Sequence, residues 1–239
     1  GHGALTIEQV STLDNTGGGQ ITVDGNGLLT LNAVTVTKGT VTNNGETDLT
    51  GSAVLQQGTL GNSGQINVSG TGNALDAETV TSSALTIMAG AVLTIDQNST
   101  VTNAGTVQVI DGGQLTLNLA TIHGGIVNDG TAAGTGGQFG KIEVAGNSRI
   151  DASATLNNGG VKIDPGAILT LDNVTVNGTS FEVDSTSQVT PGELILQNGT
   201  SLIGARITVD SADQLLIDHA TVTGGSIRNS GKLESVSGT

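Results

Sequence analysis

The sequence predicts an all-β fold in which the chain winds into a parallel β-solenoid, and three observations lead to this prediction. Short segments such as Gln20–Val23 and Arg206–Val209 alternate aliphatic and polar residues, which is the pattern of half-buried strands. Asn-x-Gly turns recur along the whole chain. No stretch of ten or more residues carries the apolar spacing of an amphipathic helix.

The turns define a repeat. They begin at Asn15, Asn43, Asn62, Asn103, Asn128, Asn157 and Asn229. The spacing between most neighbouring turns is about 19–29 residues, a period typical of stacked repeats. We interpret the two longer gaps as two and three coils whose marker is lost. We therefore predict a single domain, 1–239, of about ten coils of 19–29 residues each.

Stacking explains why the repeat exists. One coil of short strands cannot bury its inward side chains, but successive coils can pair in parallel about 4.8 Å apart. Glycine then provides the turns, and asparagine amides stack along the axis. A β-sandwich is the alternative fold, but its core usually contains Trp or Tyr. The chain has neither, and only two Phe.

Composition excludes several functions. Seven basic and 21 acidic residues give a net charge of −14, and such a surface repels nucleic-acid phosphates and anionic lipids. No apolar run approaches the roughly twenty residues of a spanning helix, so no membrane insertion is expected. Cysteine is absent, which excludes disulfides and thiolate metal sites. We interpret residues 1–3 as a cloning remnant and the chain as a fragment of a longer repeat protein.

The order Asn-x-Gly, alternating aliphatics, a Gly turn and Leu-Thr-Leu, as in residues 103–117, resembles a known class. It is similar to the right-handed β-helical repeats of large bacterial surface proteins, the autotransporter passengers and filamentous-haemagglutinin-type adhesins. The resemblance covers nearly the whole chain and implies a right-handed coil, a secreted or cell-surface location and a role in adhesion or biofilm contact. Its implied partners are glycans or proteins of host or neighbouring cells. The irregular unit length departs from the stricter repeats of some such families.

Exposed strand edges at the ends of a solenoid can pair with other chains. End-to-end self-association is therefore a further expectation.

Enzymatic activity is the second hypothesis, because β-helices also include polysaccharide lyases and hydrolases. Glycoside hydrolysis needs two closely spaced carboxyl groups. Most Asp residues here instead follow the end of an aliphatic strand, where they are typical turn caps: Asp24, Asp96, Asp111, Asp164, Asp172, Asp184, Asp210 and Asp218. A polygalacturonase-like set is incomplete, since no Asp-Asp pair exists. We expect no enzyme and no catalytic residue.

Metal and cofactor sites are weakly indicated. Asp210, Asp213 and Asp218 form the densest acidic segment and could supply oxygen ligands to Ca²⁺, although solvated turn acids are the favoured interpretation. His123 and His219 occupy different positions of the repeat and lack a third nitrogen or sulfur ligand for zinc. We expect both histidines at the surface and no other cofactor.

Two further segments are candidate contact surfaces. The Gly-rich stretch 129–140 interrupts the repeat, and a glycan-binding module, the third hypothesis, would use Thr131, Thr135, Gln138 and Phe139; a passive bulge is the favoured interpretation. Thr-x-Thr triplets at 35–37, 40–42, 79–81, 100–102 and 221–223 resemble ice-binding surfaces. Since Thr is common on solvent-facing strands, we interpret them as ordinary exposed strands.

Overall fold

The computed structural model describes residues 3–130, 140–184 and 190–236. These residues form 31 strands, and every strand pairing among them is parallel. No helix that could span a membrane occurs in these ranges. The predicted parallel solenoid is therefore confirmed, with eleven coils where the sequence predicts about ten. The right-handed sense of the coil stays a prediction.

Each coil crosses three faces in turn. Face 1 contains β1 (Ala4–Ile7), β4 (Leu28–Asn32), β7 (Glu46–Thr50), β10 (Gln65–Val68), β12 (Thr79–Ile87), β14 (Thr100–Val109), β17 (Ile126–Asp129), β20 (Thr155–Asn157), β23 (Thr175–Asn177), β26 (Ser201–Ile203) and β29 (Thr221–Thr223). Face 2 contains β2 (Ser11–Asp14), β5 (Val34–Thr37), β8 (Val54–Gln56), β11 (Asn73–Asp76), β13 (Val92–Asp96), β15 (Gln114–Asn118), β18 (Lys141–Val144), β21 (Gly160–Ile163), β24 (Ser180–Val183), β27 (Arg206–Val209) and β30 (Ser226–Asn229). Face 3 contains β3 (Gln20–Val23), β6 (Thr40–Asn43), β9 (Thr59–Asn62), β16 (Thr121–His123), β19 (Ser148–Asp151), β22 (Ile168–Asp172), β25 (Glu193–Gln197), β28 (Gln214–Asp218) and β31 (Lys232–Val236). The long strands β12 and β14 belong to face 3 in their first halves and to face 1 in their second halves.

Coil length varies while the pairing register is maintained. On face 1, Leu28 pairs with Glu46 across a short coil, whereas Ile126 pairs with Thr155 across a much longer one. The extra residues are placed between strands, so the ladders continue past them. Eleven coils at about 4.8 Å per step give a rod on the order of 50 Å long.

The core consists of columns, which are sets of residues at equivalent positions in successive coils. One column on face 2 runs from Leu93 through Leu115, Ile142 and Val161 to Phe181, and each member is at most 2% exposed. Burying such a side chain contributes roughly 1.5–3 kcal/mol. Many thin aliphatic layers therefore replace the aromatic core of an ordinary globule, as the composition predicts.

A buried amide column on face 3 confirms the predicted amide stacking for the turns at Asn43 and Asn62, whereas the turns at Asn128 and Asn157 lie on face 1 and the turn at Asn229 lies on face 2. The Asn43 side-chain amide donates to the Asn62 oxygen at 2.7 Å, and the Asn62 amide donates to the Ser82 hydroxyl at 3.0 Å. Asn62 also donates to the Ala84 carbonyl at 2.7 Å. Asn43 and Asn62 are at most 4% exposed, so these bonds satisfy polar groups that water cannot reach.

Replacing Asn62 with alanine is expected to lower the free energy of unfolding by about 2–3 kcal/mol, because buried groups on both neighbouring coils lose their partner. Urea denaturation followed by circular dichroism measures this loss. Asn177→Ala is the control, since its amide bonds the Asn157 oxygen at 2.8 Å in a half-buried, outward-facing column. An equal loss in both variants would contradict the special role of the buried column.

Candidate functional site

The candidate contact segment of the sequence analysis is not located by the structure. Thr131, Thr135, Gln138 and Phe139 lie outside the described residues. Their role in contact stays a prediction.

The three acids proposed for Ca²⁺ have different environments. Asp213 is fully buried and accepts a hydrogen bond from the Gly192 N–H at 2.8 Å. Asp210 and Asp218 are half-buried, and Asp218 contacts the His219 Nδ1 at 2.5 Å. No group of three or more metal-ligating side chains is found in the part of the chain that the structure describes. Calcium binding stays a prediction, and the Asp213 side chain connects two coils.

Both histidines are surface residues paired with acids. The His123 side chain is 39% exposed and bonds Asp151 on the next coil, and the His219 side chain is 60% exposed. They lie on separate coils with separate carboxylate partners, so the structure does not bring them together.

Asp172 is a strand-end acid whose side chain bonds to neighbouring coils. It accepts hydrogen bonds from Gln197 at 2.9 Å and Asn198 at 3.0 Å, and it pairs with Arg149. Partial burial tends to raise the pKa of Asp172, but these bonds outweigh it and hold the pKa below its usual value. The partners are side chains of adjacent coils rather than the backbone of its own turn.

One acid that the sequence pattern does not single out, Asp129, faces the core. Asp129 continues the inward column after Val109 and is fully buried. Burial raises the pKa of Asp129 to about 8, although the backbone N–H groups of Gly160 and Ile142 oppose the rise. Neither carboxyl oxygen makes a hydrogen bond of normal geometry, which leaves burial as the dominant effect. The pairing of Asp129 with the inward residue Val109 was the signal that could have revealed its burial.

Two further acids, Glu78 and Asp76, lie near one corner of the coil and have raised pKa values. Burial raises the pKa of Glu78 to about 7, even though its carboxylate accepts a bond from the Gly58 N–H at 2.7 Å. Burial, followed by the stacked Asp96 carboxyl, raises the pKa of Asp76 to about 7. Glu78 and Asp76 are protonated in part near neutral pH, so the stability of the rod depends on pH.

Face 2 contains a concave surface with an unusual share of the chain's basic residues. We call it the face-2 groove; its volume is about 470 Å³. It is lined by Lys141, Gly160, Val161, Lys162, Ser180, Phe181, Glu182, Arg206 and Thr208. Three of the seven basic residues of this acidic chain therefore line one groove.

Small residues form the floor of this groove. Lys141, Gly160, Ser180 and Arg206 are consecutive members of one outward column, so two short residues separate two long ones. A Cβ atom on Gly160 would meet no other atom within 4 Å, and its φ lies outside the left-handed region. Neither steric crowding nor backbone conformation requires glycine here. The missing side chain leaves open space above this position of the strand.

The cations of the groove differ in their partners. Lys141 pairs with Glu143 at 2.9 Å, and Lys162 lies between Asp164 at 3.2 Å and Asp184 at 3.1 Å. Arg206 is exposed and has no ion-pair partner within the described ranges. Of the three cations that line the groove, Arg206 is the one without a carboxylate partner among the described residues.

Face 3 gathers most of the Thr-x-Thr triplets. Two adjacent outward columns of coils 2 to 6 contain Thr40, Thr59, Thr79, Thr100 and Thr121, and Thr42, Gly61, Thr81, Thr102 and His123. The triplet at 35–37 lies on face 2. Gly61 and His123 interrupt the second column, and the interpretation as ordinary solvent-facing strand is retained.

Comparison with known proteins adds no relative. No protein-family model, curated protein or solved structure matches the chain. The likeness to bacterial adhesins consequently stays a resemblance of repeat pattern, and function is inferred from the chain's own surface.

Proposed function

We propose that the chain is a structural and adhesive rod of an extracellular bacterial adhesin, which mediates attachment to cell surfaces or contact within biofilms. One observation carries the proposal: eleven coils stack through parallel ladders that continue along the rod, with one register shift between β12 and β14. Nearly every strand residue serves pairing or the aliphatic core, and the product is a slender rod about 50 Å long. Such a shape holds binding surfaces away from the structure that bears it.

The distribution of acids supports a role without catalysis. Two of the carboxyl groups with strongly raised pKa values, Asp129 and Glu78, are at most 3% exposed. A catalytic acid must contact its substrate, and these two face the interior. Asp76, whose pKa is also raised, is half-buried and stacks on Asp96. We propose no enzymatic activity. Product release from uronate or neutral glycans, with or without Ca²⁺, would instead support the alternative of a polysaccharide lyase or hydrolase.

The proposed partners are glycans or proteins on host or neighbouring cells, and the proposed location is the bacterial cell surface or its exterior. The net charge of −14 supports such partners over nucleic acids. The face-2 groove supports contact with a polar ligand, because its lining offers both cationic donors and carboxylate or hydroxyl acceptors.

A bead assay tests the adhesive role. Polystyrene beads coated with the full chain are passed over bacterial biofilms and epithelial cell layers under flow, beside beads coated with an acidic protein of equal net charge. We expect the chain-coated beads to be retained at least severalfold more often. Equal retention on every surface would contradict the adhesin proposal.

A further inference from the structure

We propose that the face-2 groove binds an oligosaccharide that carries a single carboxylated sugar. The inference rests on the proposed adhesive function and deepens it by naming the class of ligand. It is based on Arg206, which has no ion-pair partner among the described residues, on the small-residue floor and on the absence of an exposed aromatic side chain among the described residues of the groove.

Arg206 provides the acid-specific contact. Its guanidinium is exposed and has no ion-pair partner among the described residues, whereas Lys141 and Lys162 have carboxylate partners. A planar guanidinium binds a carboxylate through two parallel hydrogen bonds. The Arg206 guanidinium therefore fits one ligand carboxylate, and the paired lysines retain N–H groups for neutral oxygens.

The groove floor fits the body of the ligand. Gly160 has open space above it, and Ser180 adds only a hydroxyl group between Lys141 and Arg206. Those two long side chains lie three coils apart, or about 14 Å along the rod axis. A short chain of sugar units lying along the axis fills this distance, and the Ser180 and Thr208 hydroxyls and the Glu182 carboxylate can exchange hydrogen bonds with sugar hydroxyls.

The surroundings favour a singly acidic glycan over two other ligands. Neutral glycans usually bind by packing a sugar ring on an exposed aromatic side chain, but Phe181 is 2% exposed and points into the core. A polyanion is disfavoured because the net charge of −14 repels every added negative charge. One carboxylate gains the contact with Arg206 and keeps that repulsion small.

Calorimetry tests the proposal with a matched pair of ligands. The full chain is titrated with a tetrasaccharide containing one glucuronic acid, and with the same tetrasaccharide after reduction of the carboxyl to a primary alcohol. We expect the acid to bind about tenfold more tightly, since a charged hydrogen-bonded pair contributes roughly this factor. Arg206→Gln is expected to remove the preference for the acid. Gly160→Val is expected to lower the affinity for both tetrasaccharides, because its side chain fills the floor of the groove.

Matched variants serve as controls. Lys38→Gln removes an exposed cation from a coil far from the groove, and Thr94→Val changes an outward side chain on a distant coil of face 2; both should bind like the unaltered chain. Equal affinity for the two tetrasaccharides, an undiminished preference in Arg206→Gln, no binding of either, or binding only of a heparin oligosaccharide would overturn the proposal.

The bead assay separates this proposal from the proposed function. If beads coated with the unaltered chain adhere and beads coated with Arg206→Gln adhere equally, the groove proposal fails while the adhesin proposal stands. If unaltered beads do not adhere but calorimetry shows the acid preference, the adhesin proposal fails and the site stands.

Discussion

Replacing Gly105 with alanine is expected to destabilise the rod strongly. Gly105 lies in β14 where the register shifts against the preceding coil. A Cβ atom there would lie 1.9 Å from the Ser83 carbonyl oxygen and 2.9 Å from its carbon. The coils would have to separate to accept it, at a cost of about 3 kcal/mol or more. Urea denaturation monitored by circular dichroism measures the loss.

Gly160→Ala is the matched control, because the same methyl group enters open space in an ordinary strand. Removing the flexibility of glycine from the unfolded chain should stabilise this variant by about 0.5–1 kcal/mol. Similar stability of the two alanine variants would show that neighbouring coils are not packed as described.

Stability is expected to rise as the pH falls from 8 to 5. The pKa values in the folded state are about 8 for Asp129 and about 7 for Glu78 and Asp76, against about 4 in an unfolded chain. Between about pH 4 and pH 8 the folded chain therefore binds more protons, so stability is lost as the pH rises through this window. Asp172, whose pKa is held low, contributes stability that is lost only below about pH 4.

The free energy of unfolding should increase on the order of 3 kcal/mol or more between pH 8 and pH 5, since each pKa unit corresponds to about 1.4 kcal/mol. Thermal or urea midpoints measured across this range test it. Asp129→Asn should be more stable than the unaltered chain at pH 8 and should gain less on acidification. Asp24→Asn removes the same charge from an exposed turn and should leave the pH profile unchanged. A flat or inverted profile would contradict the burial of these acids.

Much of the fold can be predicted from the sequence, because both the alternation of residues within a strand and the recurrence of turns from coil to coil are visible in short stretches of sequence. Alternation in segments such as Gln20–Val23 assigns inward and outward positions, and Asn43 and Asn62 mark equivalent turns. The number of coils is less certain from sequence, because insertions change the spacing without breaking the ladder. The long coil that follows Ile126 shows this, since its pairing with Thr155 is as regular as any pairing across a short coil.

The candidate site depends on register and is therefore harder to predict. Lys141, Gly160, Ser180 and Arg206 are each separated from the next by a full coil of sequence, and no short motif connects them. Asp129 is equally hidden, since it follows a strand like the surface acids but faces inward. Aligning the coils by their inward aliphatics would have revealed both features.

Distances between spin labels along one face test the stacked coils most directly. The chain lacks cysteine, so pairs can be introduced specifically. Thr35 and Thr116 are four coils apart in one outward column, and Thr35 and Thr208 are eight coils apart. At about 4.8 Å per coil, backbone separations of roughly 19 and 38 Å are expected. Pulsed electron paramagnetic resonance should show that the second distance is about twice the first, with a tolerance set by the length of the label side chains. Similar distances for both pairs, as in a compact sandwich, would contradict the solenoid.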